Sequence, residues 1–117
     1  MSDAPLPRQL PIDTDWMTDQ LAALLAIASP TGYTDTVVRH VCGVLDTLGV
    51  SYDLTRRGAI RARIAGDDSA GARAIVSHLD TLGAQVRTLK PNGRVSLAPV
   101  GTWSARFAEG ARVTLFT

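Results

Sequence analysis

Apolar residues near the start of the chain recur with the spacing of an amphipathic helix. Within residues 14–28 they fall on one face of a helix with 3.6 residues per turn. They are Met17, Leu21, Leu24, Leu25 and Ala28. Asp13 or Thr14 can cap the first turn by accepting hydrogen bonds from its free backbone N–H groups. The proline of the next segment, Ser-Pro-Thr-Gly at residues 29–32, ends the helix, and we expect a turn in which the glycine takes positive φ.

A second apolar stripe, which we expect to be buried, predicts a helix over residues 34–48. Its members are Val37, Val38, Val41, Val44, Leu45 and Leu48. Gly49 follows the helix at the position where the residue that ends a helix commonly has positive φ. We expect Cys42 to be a small core residue. His40 lies at the polar edge of the stripe, so we expect a solvated side chain there.

The spacing then changes from helical to alternating. Residues 50–55 and 59–65 each predict a strand, with a turn near residues 57–58 between them. Residues 72–77 form a short apolar run, which is typical of a strand covered on both faces. Two helices, a hairpin and a buried strand, in that order, predict the opening of an α/β domain.

The pattern changes again after Gly83. Residues 85–89, 95–97 and 113–116 predict short strands, and the Asn-Gly pair at residues 92–93 suits a type I′ hairpin turn. We therefore divide the chain into an irregular segment (1–13), an α/β portion (14–84) and a β module (85–117).

Composition excludes several classes of protein. The chain has 117 residues, enough for one domain, with a net charge of +1 and 5% aromatic residues. With no basic excess and few aromatic residues on which bases could stack, a nucleic-acid-binding module is disfavoured. The longest apolar run, residues 21–28, is too short to span a bilayer, and the start lacks the features of a signal peptide. The single cysteine suits a reducing compartment, so we expect a cytoplasmic protein.

The strongest candidate for a functional site is the pair His78 and Asp80. It lies at the end of the predicted buried strand. Residues two apart on a strand point to the same side, and sites in open α/β sheets lie at this edge. An imidazole that binds a metal needs its other nitrogen oriented, which a carboxylate does well. Taken alone, the pair is also compatible with a partly exposed polar histidine. With two histidines and one glutamate, Glu109, the chain cannot build a three-histidine zinc site or a His-Glu-x-x-His helix.

Several segments in order resemble one family. They are Ser29-Pro30-Thr31-Gly32, Ser77-His78-Leu79-Asp80, Leu82-Gly83-Ala84, Lys90-Pro91-Asn92-Gly93-Arg94 and Arg106-Phe107-Ala108-Glu109-Gly110-Ala111-Arg112-Val113. Together they resemble the start of the dinuclear metallo-aminopeptidases of the tetrahedral-aminopeptidase, or cellulase-M-like, type. The later segments resemble the subgroup found with biosynthesis of the osmoprotectant N-acetylglutaminylglutamine amide. The resemblance covers about residues 14–117.

The resemblance implies the N-terminal part of a zinc-peptidase-like α/β domain, followed by the start of an inserted small β-barrel domain that helps to build oligomers. It implies two divalent ions, Zn²⁺ or Co²⁺, that activate a water and polarise the carbonyl of a peptide substrate, with a glutamate as general base. By this match His78 is a metal ligand, and Asp80 is the supporting acid and candidate catalytic residue.

The remaining ligands of the family have no match in this sequence. The family needs a bridging aspartate, a Glu-Glu pair, another acidic ligand and a second histidine, and this chain has a threonine at position 81 where many relatives carry an acidic residue. We expect the 117 residues to be the N-terminal part of a longer homo-oligomeric enzyme, inactive alone. Two alternatives stay open: a non-catalytic binding or assembly module with the same early fold, and a small complete protein with an accidental resemblance. Arg106 and Arg112 are expected at the surface, and a role at a subunit contact stays open.

Overall fold

A computed structural model describes residues 10–66 and 71–117. The first nine residues of the predicted irregular segment, and residues 67–70 between the predicted hairpin and the predicted buried strand, lie outside the described part. The described elements are α1 (Thr14–Ala26), α2 (Asp35–Thr47), β1 (Tyr52–Leu54), β2 (Ile60–Ala62), β3 (Gly83–Leu89), β4 (Val95–Val100) and a 3₁₀ turn (Ala105–Ala108). Neither α1 nor α2 combines the length and the apolarity that a membrane crossing would need.

Helix α1 begins as predicted and ends two residues earlier than the apolar spacing indicates. The Asp13 side chain caps it by accepting a 2.9 Å hydrogen bond from the backbone N–H of Trp16. The apolar face of this helix is largely open to solvent among the described residues, since Leu21 is 56% exposed and Leu25 is 70% exposed. The stripe is therefore an apolar surface on this chain.

Helix α2 buries only part of its predicted stripe, because Leu48 at its C-terminal end is 55% exposed. Val37 is 1% exposed and Cys42 is 9% exposed, which confirms the core position predicted for the cysteine. Gly49 follows the helix with φ of 67°, as predicted. The expected solvation of His40 is wrong in part. Its side chain is half-buried, and its Nε2 atom is shielded from solvent without a hydrogen-bond partner in the described structure, because it lies closer to the packed face than the pattern indicates.

Strands β1 and β2 form the predicted hairpin, each shorter than the alternating pattern. They pair antiparallel, with Asp53 opposite Arg61. The turn between them closes through a 2.9 Å hydrogen bond from the Gly58 N–H to the Thr55 carbonyl, and Gly58 takes φ of 79°.

The strand predicted over residues 72–77 is absent from the structure. These residues are irregular, and Ile75 and Val76 are 98% and 91% exposed. The physical reason is the lack of a neighbour, because a strand needs a partner for its backbone groups and none of the described strands pairs with this segment. The chain is next fixed at Thr81, which forms a parallel bridge with Pro30.

Strands β3 and β4 form a second antiparallel hairpin, longer than the predicted strands. Arg87 is an extra residue in β3, where the register shifts. The predicted type I′ turn is wrong, because that turn needs positive φ at both central residues and Asn92 does not have it. Instead the Gly93 N–H donates to the Lys90 carbonyl at 3.0 Å, so Pro91 and Asn92 are the central residues and only Gly93 has positive φ. Proline favours this arrangement at the first central position.

The strand predicted over residues 113–116 is also absent, since residues 111–117 are irregular and no described strand pairs with them. Phe116 instead stacks on Tyr33, with ring centroids 4.9 Å apart. The described chain is thus a mixed helix and strand structure, as expected of an α/β fragment, while its assignment to a peptidase domain with an inserted barrel stays a prediction.

Candidate metal-binding site

His78 and Asp80 lie together on an extended segment that leads into β3. The His78 Nδ1 atom is 3.0 Å from Asp80 Oδ1 and 2.9 Å from the Asp80 backbone oxygen. The predicted pairing of the two side chains is therefore present, although the segment is irregular and not a strand.

The two contacts of Nδ1 decide which imidazole nitrogen is available. Both partners are oxygen acceptors, so we assign the proton of the neutral ring to Nδ1, which donates to them. Nε2 then carries the lone pair, and the His78 side chain is 82% exposed. An imidazole held through one nitrogen, with the other open to solvent, has the form of a metal ligand.

The turn between α1 and α2 supports this segment from the other side. Thr31 Oγ1 donates a 2.6 Å hydrogen bond to Asp80 Oδ2. Ser29, which is 1% exposed, donates from Oγ to the Leu79 carbonyl at 3.0 Å, and its own carbonyl accepts from the Thr81 N–H at 2.8 Å. These contacts join residues about fifty positions apart and fix the backbone on both sides of Asp80.

The end of the segment is anchored to the β3–β4 hairpin. The half-buried Trp103 donates from its indole Nε1 to the carbonyls of Gly83 and Val100, at 3.1 Å each. This side chain ties the start of β3 to the end of β4, so the segment that carries His78 and Asp80 enters the hairpin at a fixed point.

The hydrogen bonds on Asp80 favour its charged form. The Thr31 hydroxyl, and next the His78 ring, lower the pKa of the Asp80 carboxyl below its ordinary value, and partial burial opposes them. A carboxylate that accepts from the imidazole Nδ1–H fixes the tautomer and the orientation of the ring. This arrangement leaves the lone pair on Nε2 as the one that can bind an ion.

The described residues supply part of a metal site and not the whole of one. Among residues 10–66 and 71–117, no group of three or more His, Cys, Asp or Glu side chains lies close enough to hold an ion. The donor set at His78 and Asp80 is one open imidazole nitrogen and one carboxylate already engaged through both oxygens. It fits one ligand and its supporting acid, while a stable Zn²⁺ site needs three or four ligands.

Two contributors to this cluster were not identified from the sequence. Ser29 and Thr31 were predicted as part of a turn and of the family resemblance, without a role near Asp80. The available signal was the Ser-Pro-Thr-Gly segment itself, which pairs a rigid turn with two short hydroxyl side chains. Nothing in the local pattern indicates that this turn meets a segment about fifty residues later.

A second polar cluster involves Tyr52 and residues of α2. The Tyr52 hydroxyl lies 3.4 Å from Asp46 Oδ2. A hydrogen bond with the Cys42 thiol, burial and the Asp46 charge raise the pKa of Tyr52 to about 12. This cluster borders an open cavity of about 470 Å³ and includes neither His78 nor Asp80.

Comparison with known proteins identifies the family. The family model described as M42 glutamyl aminopeptidase matches residues 58–117, just over half of the chain. The chain belongs to this family. The match includes His78 and Asp80 and confirms the aminopeptidase family predicted from the sequence, whereas the osmoprotectant subgroup stays a prediction.

Two curated relatives are similar over most of this M42 chain. The protein described as "Putative aminopeptidase YhfE" of Bacillus subtilis (strain 168) is 32% identical over 87 residues, which are 74% of this chain and 25% of that protein. "Glutamyl aminopeptidase" of Lactococcus lactis subsp. cremoris (strain MG1363) is 28% identical over 100 residues, which are 85% of this chain and 28% of that protein. The chain thus spans about a quarter of the length of these relatives.

Proposed function

We propose that this chain is the N-terminal portion of a metal-dependent aminopeptidase that hydrolyses small peptides. The supporting observation is the placement of His78, whose Nδ1 is held by Asp80 while the ring stays open to solvent. Membership of the M42 family and the names of the two relatives support peptide hydrolysis as the activity. The proposal covers the whole protein, since the described residues of this chain hold only part of a metal site.

His78 would bind one of two divalent ions, Zn²⁺ or Co²⁺, through Nε2. When bound, the ions supply Lewis-acid polarisation of the peptide carbonyl and a water that is activated at neutral pH. Asp80 keeps the proton on Nδ1, holds the ring plane and compensates positive charge near the imidazole. The contact between Thr31 and Asp80 Oδ2 keeps that carboxylate in place.

We also propose the finer assignments that the sequence resemblance suggests. The hairpin that begins at Gly83 supports a boundary near residue 84, with a peptidase portion before it and an inserted β domain after it. The segments 90–94 and 106–113 support the subgroup linked to osmoprotectant dipeptide metabolism. A cytoplasmic homo-oligomer fits the single cysteine and the apolar surface of α1.

The test is hydrolysis of unblocked peptides by the full-length protein that carries this chain. We expect it to release N-terminal residues from aminoacyl p-nitroanilides, to lose this activity with a chelator and to regain it with Zn²⁺ or Co²⁺. His78→Ala should reduce kcat/KM by at least about 100-fold, because loss of a ligand disrupts the metal centre. His40→Gln is the matched control and should retain activity.

A metal-loaded, folded full-length protein without hydrolysis of any unblocked peptide would contradict the proposal and favour a non-catalytic binding or assembly module. The assignment to the osmoprotectant subgroup is tested by a separate measurement of dipeptide cleavage rates. We expect glutamine-containing dipeptides to be cleaved faster than dipeptides of similar size that lack glutamine, and an equal rate for both would reject it.

A further inference from the structure

The contact between Thr31 and Asp80 assigns a role to a residue outside the His-x-Asp motif. We infer that Thr31 is a positioning residue, whose hydroxyl holds the Asp80 carboxylate in the orientation that presents the His78 imidazole to a metal ion. This inference rests on the proposed function and deepens it. Thr31 touches neither the ion nor the peptide in this role, because it acts through Asp80.

The division of hydrogen bonds between the two Asp80 oxygens is the first argument. Oδ1 lies 3.0 Å from His78 Nδ1, and Oδ2 accepts from Thr31 Oγ1 at 2.6 Å. A carboxylate held at one oxygen can still rotate about its side-chain torsion, whereas one held at both oxygens cannot. The Asp80 side chain is 37% exposed, so water would compete for Oδ2 if the hydroxyl were absent.

The rigidity of the turn is the second argument. The Tyr33 N–H donates to the Pro30 carbonyl at 2.7 Å, which closes the turn around Thr31. The two Ser29 hydrogen bonds attach the same turn to the backbone at Leu79 and Thr81, on either side of Asp80. The Thr31 hydroxyl is therefore presented from a fixed backbone, which is what a group that orients a ligand requires.

The test compares three variants of the full-length protein. Thr31→Val keeps the branched shape and removes the donor, Thr31→Ser keeps the donor, and Thr36→Val is a control on the exposed first turn of α2. The first readout is Zn²⁺ affinity of the metal-depleted protein, measured by competition with a chelator. The second is the tautomer of His78 in the metal-free protein, measured by ¹⁵N NMR at one neutral pH.

We expect Thr31→Val to weaken Zn²⁺ binding by about tenfold, which is the lower end of the loss seen when a residue that supports a metal ligand is changed. It should also increase the fraction of His78 protonated at Nε2. Thr31→Ser should restore both values, and Thr36→Val should leave both unchanged. If Thr31→Val does not fold, Thr31→Ala is measured against Thr31→Ser with the same readouts.

Wild-type Zn²⁺ affinity and tautomer in a folded Thr31→Val or Thr31→Ala protein would overturn the inference. An equal loss in Thr31→Ser would also overturn it, because the donor would then not be the cause. Failure of the proposed function would give a different result from failure of this inference. The wild-type protein would then hydrolyse no peptide, while the His78 tautomer would still change in Thr31→Val.

Discussion

Gly83 and Pro30 lie so close that a Cβ atom on Gly83 would stand 2.6 Å from the Pro30 Cβ. Real Cβ atoms do not approach carbons at that distance, so only glycine fits at the start of β3. The obstacle is a proline ring on a closed turn, which cannot move aside as the end of a long side chain can. This close approach lets the inter-helix turn reach the segment that carries His78 and Asp80.

Gly83→Ala should therefore loosen the segment before β3 from the turn. Overpacking of this kind costs about 1–3 kcal/mol, and that cost should accelerate hydrogen exchange of the Thr81 amide by about 5- to 160-fold. The amide is a direct probe, because it donates to the Ser29 carbonyl at 2.8 Å. Gly43→Ala is the control: the helical site is open, so exchange at Thr81 should not change. Equal exchange in both variants would contradict the packing argument.

The spacing of apolar residues predicted the helices and hairpins well. It did not predict which distant segments contact each other. The apolar spacing of α1 and α2, and the glycine after α2, depend on neighbours within a few residues and were recovered nearly to their ends. The strand predicted over residues 72–77 failed because a strand depends on a partner, which the sequence of the strand does not encode. Its apolar residues are instead exposed, as Ile75 shows at 98%.

One contact of the candidate site could be predicted from the sequence, and another could not. The pairing of His78 with Asp80 follows from two residues on one extended segment, so it was predictable. The contact of Thr31 with Asp80 depends on how a turn and a distant segment dock, so it was not. Sequence patterns therefore indicate the candidate ligand and its neighbouring acid, but they do not indicate the Thr31 hydroxyl that donates to that acid.

The ion pair between Asp53 and Arg61 should contribute little to stability. Asp53 Oδ2 accepts from Arg61 Nη2 at 2.6 Å and from Nε at 3.0 Å across the β1–β2 hairpin. Both side chains are more than half exposed, so solvent screens the pair. A double-mutant cycle with Asp53→Ala and Arg61→Ala should give a coupling free energy of about 0.2–1 kcal/mol in urea unfolding, falling as salt is added. A salt-independent coupling well above that range would show that the pair is shielded from water.

The Tyr52 phenol should ionise late in an alkaline titration. Its pKa of about 12 in the folded protein exceeds the ordinary value of 10.0, so folding favours the neutral phenol. The resulting stabilisation is complete below about pH 10 and is lost as the pH rises towards 12. We expect a late phase in tyrosinate absorbance that Tyr52→Phe removes and Cys42→Ala shifts to lower pH, because the thiol hydrogen bond is the largest cause. Ser51→Ala is the neighbouring control and should leave the phase in place. A late phase unmoved by Cys42→Ala would exclude the thiol as its cause.

The 117-residue chain by itself should bind Zn²⁺ only weakly. One open imidazole nitrogen, with a carboxylate whose two oxygens are already engaged, provides too few ligands for a closed coordination sphere. Calorimetry at neutral pH should give a dissociation constant weaker than micromolar, since tight structural zinc sites use four ligands. His78→Ala should abolish this weak binding, and His40→Gln should retain it because the Nε2 atom of His40 is shielded. Stoichiometric binding at micromolar or lower concentration that His78→Ala removes would show that this chain completes a metal site through ligands beyond the pair.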